Sequence, residues 1–236
     1  MKFRCERDVL TEAVSTAGRA AASRGGALPV PSGVRGGLAG NRLTLTGGDL
    51  DLTISVSVTV NGESDGLAVV PAKLASDIVR SLEPGAVSFE VVDEEVRITS
   101  GRSDFSLRLI PADEFPHLAE PAGDAVTLSA AEFAAALHQV VPAASADDSR
   151  PILTGVLLAA EESGLRLVAT DSYRLAVRDL PGTSVLAEGQ SVLVPSRALG
   201  ELGRLLGDAE EVTLRLGERD ASFEIGDVRL STRLIE

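Results

Sequence analysis

The chain has 236 residues, 44% hydrophobic and 24% charged, with a formal charge of -13; this excludes a disordered polymer and leaves room for one large domain or two ordinary ones. No apolar run reaches the roughly 18 to 20 residues of a membrane-spanning helix, Met1-Lys2-Phe3-Arg4-Cys5-Glu6-Arg7 has no apolar signal core, and one cysteine with two histidines excludes an internal disulfide and makes a poor zinc site. The expectation is a cytoplasmic protein without metal or cofactor, whose acidic surface admits nucleic acid only where basic residues gather on one face.

In chain order, a first strand is expected around Cys5, followed by a helix from Arg7 to Ala17 with Val9, Leu10, Ala13 and Val14 at helical spacing. Arg19 and Arg24 then fall in a loop of small residues. Pro31 and Arg35-Gly36-Gly37 break the apolar alternation of the next strand, so its pairing is expected to be short or irregular. Leu43-Thr44-Leu45-Thr46 runs to Asp49, and Ile54, Val56, Val58 and Val60 alternate with Ser55, Ser57 and Thr59, the period of a half-buried antiparallel strand. A second helix, from Lys73 to Leu82, puts Leu74, Ile78 and Leu82 on one side; strands follow at 87–91, 96–99 and 105–109. Asp93-Glu94-Glu95 reads as a hairpin turn, whose adjacent carboxylates point apart instead of pairing for acid–base work.

Three prolines between Pro111 and Asp124 mark a linker, after which the pattern starts again. Helices are expected at 131–141 and 197–206, and strands at 212–216, 222–225 and 228–232. Val70-Pro71-Ala72-Lys73 reappears as Val194-Pro195-Ser196-Arg197 at an offset of 124, while Pro29 against Pro151 and Asp49 against Asp171 both give 122. Three landmarks in one order at nearly constant spacing indicate a duplicated domain. The reading is therefore two α+β domains, 1–118 and 125–236, with the rest of the linker at 119–124, each an antiparallel sheet with two helices on one side.

Lys73, Asp77 and Arg80 share a helix face at i, i+4 and i+7, and Arg197, Glu201 and Arg204 repeat that spacing and order of charge. On one helix this is a solvated face with weak ion pairs; its duplication in an acidic protein favours a phosphate-facing surface. Ala169-Thr170-Asp171-Ser172-Tyr173-Arg174-Leu175-Ala176-Val177 holds the only tyrosine. It reads either as a structural turn, with Asp171 capping its own backbone and Tyr173 partly packed, or as a peptide-binding surface of Tyr173 and Arg174 beside Leu153 and Leu175. Neither His117 nor His138 stands in a nucleophile context, Cys5 reads as a small strand hydrophobe, and no phosphate-cradling Gly-rich motif occurs, so an enzyme is not expected.

Those segments, with Met1-Lys2-Phe3, Ser100-Gly101-Arg102-Ser103-Asp104-Phe105-Ser106-Leu107 and Pro111-Ala112-Asp113-Glu114-Phe115-Pro116 in the same order, are the residues on which the chain resembles the beta subunit family of bacterial DNA polymerase III, the DNA sliding clamps, over essentially its whole length. The resemblance implies a DNA clamp fold in a ring of two subunits with three similar domains each, helices lining the hole and sheets outside. It implies a non-catalytic role, encircling double-stranded DNA and tethering the polymerase for processive replication. Lys73, Arg80, Arg197 and Arg204, joined by Arg24 and Arg150, would then face DNA. Leu153, Thr170, Ser172, Tyr173, Arg174 and Leu175 would form the second-domain part of a pocket for short motifs of the polymerase III alpha subunit, the clamp loader and repair proteins. The family's third domain is expected to be absent from these residues, making the chain mainly monomeric with half a groove. The alternative is a repeat-domain protein-binding module that does not encircle DNA.

Overall fold

The computed structural model describes residues 1–21, 33–112, 115, 123–187 and 189–236. Arg24, Pro31, His117 and most of the linker lie outside the described residues. The chain divides into two compact units, Met1–His117 and Leu118–Glu236. No helix among the described residues is long and apolar enough to cross a membrane.

The first unit runs β1 (Lys2–Glu6), α1 (Arg7–Ala21), β2 (Gly33–Ala39), β3 (Arg42–Gly48), β4 (Leu52–Thr59), β5 (Asn61–Ser64), β6 (Gly66–Pro71), α2 (Ala72–Ser81), β7 (Ala86–Val92), β8 (Glu95–Ser100) and β9 (Ser103–Arg108). Its strands pair antiparallel in the orders β5-β1-β7-β8-β9 and β6-β2-β3-β4. Phe3 and Phe89 stack at 4.9 Å in its core. Helix α1 buries Leu10, Ala13, Val14, Ala17, Ala20 and Ala21, a mostly small stripe that lets it lie close on β3. A Cβ on Gly47 would sit 2.0 Å from the Ala17 carbonyl oxygen, so only glycine fits there.

Four expectations for this unit need correction. Helix α1 continues a full turn past Ala17, so Arg19 belongs to its last turn, where a cation complements the helix dipole. Val9 is exposed instead of joining the apolar stripe. Strand β2 is regular over seven residues and paired on both sides, because Leu45 and Met1 fill the space beside Gly36 that a side chain would otherwise occupy. On α2 the buried residues are Ala72, Ala75 and Val79, with Leu82 just beyond, while Leu74 is 53% exposed. The helix starts directly on Pro71 at the end of β6, and that junction turns Ala72 inward and sets the phase for the rest.

The second unit repeats the order, with no counterpart of β5 among the described residues: β10 (Ala125–Ser129), α3 (Ala130–Val140), 3-10 turns at Val141–Ala143 and Pro151–Thr154, β11 (Gly155–Glu161), β12 (Gly164–Thr170), β13 (Leu175–Pro181), β14 (Ser191–Pro195), α4 (Ser196–Leu206), β15 (Glu211–Leu216), β16 (Asp220–Ile225) and β17 (Val228–Arg233). Its strands pair as β10-β15-β16-β17 and β14-β11-β12-β13, matching the first unit strand for strand. Phe133 on α3 meets Phe223 on β16 at 6.2 Å, both fully buried. Helix α4 buries Ala198, Leu199, Leu202 and Leu206 and leaves Leu205 half-buried.

Candidate functional site

Two sets of side chains merit a functional account, one on helices and one on a sheet. Helices α2 and α4 each begin on a proline that ends a strand, Pro71 and Pro195, so the same junction fixes the same helical phase twice. Lys73, Asp77 and Arg80 are all exposed, as are Arg197 and Arg204, while Glu201 is only 17% exposed at its side chain. The Arg80 guanidinium donates to the Ser15 hydroxyl of α1 at 2.8 Å, and Arg204 pairs with Glu201. In each unit a solvated face thus carries two cations separated by two helical turns, with an acid between them that steadies one of them in α4.

Arg150 stands apart from α4, ahead of the turn at Pro151–Thr154. Its Nε donates to Asp147 at 2.8 Å. The Ser149 hydroxyl and backbone N–H also donate to Asp147, and these bonds, the hydroxyl first, hold its carboxyl below the usual range. Arg24 lies outside the described residues.

The second set is built where β12 turns into β13. Thr170 donates to the Arg174 carbonyl at 2.7 Å and accepts from the Ser172 N–H at 3.2 Å. Asp171 Oδ1 accepts from the N–H groups of Tyr173 and Arg174 at 2.9 and 3.0 Å, and Oδ2 accepts from Arg174 Nε at 3.1 Å. These bonds, the Tyr173 N–H first, hold the Asp171 carboxyl below its usual range. Ser172 takes a left-handed φ of 80°, and the turn throws Tyr173 outward. Tyr173 is 94% exposed and not partly packed. Leu175 is 66% exposed and Val177 51%, since β13 is the outermost strand of its sheet. Leu153 is half-buried in the 3-10 turn, its carbonyl accepting from Ser145 N–H at 2.8 Å.

Sequence reasoning missed Ile152, which is exposed, and Val177 and Val168, which face each other across β12 and β13. The alternation Leu175, Val177 was a usable signal for the last pair; nothing local marks Ile152. Covering such exposed apolar surface contributes about 25 cal/mol per Å².

The duplication separates scaffold from surface. Asp49 makes the same pair of backbone bonds as Asp171, with Oδ1 accepting from Asp51 and Leu52 N–H groups at 2.9 and 2.8 Å, although Leu50 lacks the left-handed φ of Ser172. At the positions of Tyr173, Arg174 and Leu175, however, the first unit has Asp51, buried Leu52 and Thr53. Across the sheet, hydroxyl pairs Thr46–Ser55 at 3.0 Å and Thr44–Ser57 at 3.1 Å occupy the places of Val168–Val177 and of the Arg166–Asp179 ion pair. The carboxylate-to-backbone bonds are common to both units; exposed Tyr173, Leu175 and Val177 beside them belong to the second.

Cys5 in β1 has its thiol pushed up to about 12, chiefly by burial, so it stays protonated and unreactive at neutral pH.

Comparison with known proteins agrees with the duplicated architecture. The family model for the N-terminal domain of the DNA polymerase III beta subunit matches residues 1–119, and that for its central domain matches residues 127–236. The beta sliding clamp of Micrococcus luteus is 34% identical over the whole chain, which covers 77% of it; that of Streptomyces coelicolor is also 34% identical, with 64% of it covered. A solved DNA polymerase sliding clamp from Bacillus subtilis superposes on the whole chain with a TM-score of 0.93 at 31% identity, and one from Pseudomonas aeruginosa bound to griselimycin with 0.92 at 29%. In both structures this chain spans 65% of the other's length. With two consecutive domain models matched and a relative 34% identical across all 236 residues, the chain belongs to the DNA polymerase III beta subunit family, the bacterial sliding clamps, which are non-catalytic processivity factors.

Proposed function

We propose that the chain is part of a clamp that encircles duplex DNA, with α2 and α4 toward the phosphates and the exterior of the second unit receiving short motifs from the polymerase III alpha subunit, the clamp loader and repair proteins. The observation that carries this is the equivalent, exposed placement of Lys73 and Arg80 on α2 and of Arg197 and Arg204 on α4. Phosphate contact gives no sequence preference, and encirclement removes the need for high affinity, so a formal charge of -13 is compatible with the role. Arg150 and Arg24 join the DNA side in this reading. The site of action is the bacterial cytoplasm, at the nucleoid.

Binding to two duplexes of unrelated sequence over a salt series tests the reading: equal affinities with a common, steep salt dependence are expected, and a preference for one sequence would overturn it. For the peptide surface, the double substitution Tyr173→Ala, Leu175→Ala is expected to weaken binding of a short apolar peptide by about tenfold or more, from the lost aromatic and aliphatic contact area. Isothermal titration checks this, and undiminished affinity would move the site elsewhere. The 236-residue chain by itself is expected to sediment mainly as a monomer and to hold such peptides weakly, because one unit offers only part of a groove. Sedimentation equilibrium showing a stable ring would contradict that.

A further inference from the structure

The duplicated turn divides the work of one carboxylate. In both units Oδ1 of the aspartate, Asp49 or Asp171, accepts from the backbone N–H groups two and three residues on. The third residue on differs. In the first unit it is Leu52, buried and uncharged; in the second it is Arg174, whose Nε donates to Asp171 Oδ2 at 3.1 Å. The ion pair is therefore an addition to backbone bonds that the first unit forms without it, and it occurs where Tyr173, Leu175 and Val177 are exposed beside the aspartate. Arg174 keeps 64% of its side chain exposed, while Asp171, at 21%, is largely enclosed by the turn. The guanidinium still offers N–H donors outward, but with its charge offset from behind.

We infer that Asp171 sets the charge preference of this surface, holding Arg174 as a neutralised hydrogen-bond donor so that the bound segment is apolar with an uncharged polar residue opposite Arg174, and an acidic residue there gains nothing. The inference rests on the peptide-docking reading. It makes Asp171 a positioning and specificity-determining residue. Of the other arginines on the sheet, Arg166 is engaged by Asp179 at 2.7 Å and by Glu161 at 3.0 Å, and Arg178 adds its charge near Asp179.

Asp171→Asn separates the two oxygens' tasks, because the amide oxygen still accepts from the Tyr173 and Arg174 N–H groups whereas the amide nitrogen cannot accept from the guanidinium. The probes are two acetylated, amidated peptides, Gly-Leu-Thr-Val-Leu-Gly and Gly-Leu-Glu-Val-Leu-Gly, titrated at low salt with the 236-residue chain and followed by nitrogen–proton NMR. For the natural sequence the ratio of acidic to neutral affinity is expected near one. In Asp171→Asn it rises by about threefold, the scale of an exposed charge pair, and falls back as salt is added. Arg174→Gln, which leaves Asp171 without its guanidinium, moves the ratio below one by a similar factor and supplies an independent reading should the first variant fold poorly. A ratio unchanged in both variants overturns the inference and leaves docking intact. Because one unit holds peptides weakly, binding is read from the amide signals of Tyr173, Arg174 and Leu175 at high peptide concentration; no shift there with either peptide overturns docking itself and the inference with it.

Discussion

Replacing Lys73, Arg80, Arg197 and Arg204 together by alanine is expected to lower affinity for duplex DNA alike for unrelated sequences and to flatten its dependence on salt. Each phosphate contact contributes roughly 0.9 to the slope of log affinity against log salt. Four full contacts would remove about 3.5; the expected loss is nearer 2 to 3, because at least two of the cations already have partners. Arg80 donates to Ser15 and Arg204 is paired with Glu201, so each gives up part of an existing interaction on reaching a phosphate. Lys73 makes no ion pair among the described residues and is expected to matter most among the single substitutions. All four side chains are exposed, so the fold should be unaffected, and unchanged thermal unfolding makes the comparison clean. An unaltered salt slope in the fourfold variant would remove α2 and α4 from the DNA wall.

What could be read from the sequence was whatever repeats or alternates. The duplicated landmarks gave two α+β units, and the valine–serine alternation marked β4 one residue at a time. Charge at i, i+4 and i+7 picked out cations that stand exposed, since exposed polar residues need no packing partner. Apolar faces were harder. On α2 the stripe Leu74, Ile78, Leu82 looked more hydrophobic than Ala72, Ala75, Val79, yet the junction at Pro71 decides which side turns inward, and small residues pack closer to the sheet. Gly36 misled for a related reason, since a missing side chain looks like a flaw in a strand until Leu45 and Met1 are seen to fill the space. For the proposed peptide surface, the turn residues were legible but the degree of exposure was not: whether Tyr173 packs or projects depends on the left-handed Ser172 and the bonds to Asp171, which no periodicity encodes. Ile152 sits in a 3-10 turn, where neither helical nor strand spacing applies.

Phe133→Ala is expected to be the most damaging single truncation in the second unit, costing about 3 to 5 kcal/mol. Phe133 is fully buried on α3, its ring 6.2 Å from that of Phe223, which is equally buried on β16. Removing it deletes the contact between the two rings and leaves a cavity between a helix and a sheet that are each held by their own hydrogen bonds, so little collapse can refill it. Leu74→Ala is the contrasting case. The two residues are both large, apolar and helical, but Leu74 is 53% exposed and its truncation is expected to change stability by no more than about 0.5 kcal/mol. Urea denaturation reads both: Phe133→Ala should shift the midpoint strongly with little change in slope, and a loss below about 1 kcal/mol would mean that the core closes around the gap. The consequence extends to function, because α3 also packs against β13, the strand that presents Leu175 and Val177. If α3 supports that surface, peptide affinity in Phe133→Ala should fall with the folded fraction of the second unit, at concentrations of urea where the natural sequence still binds.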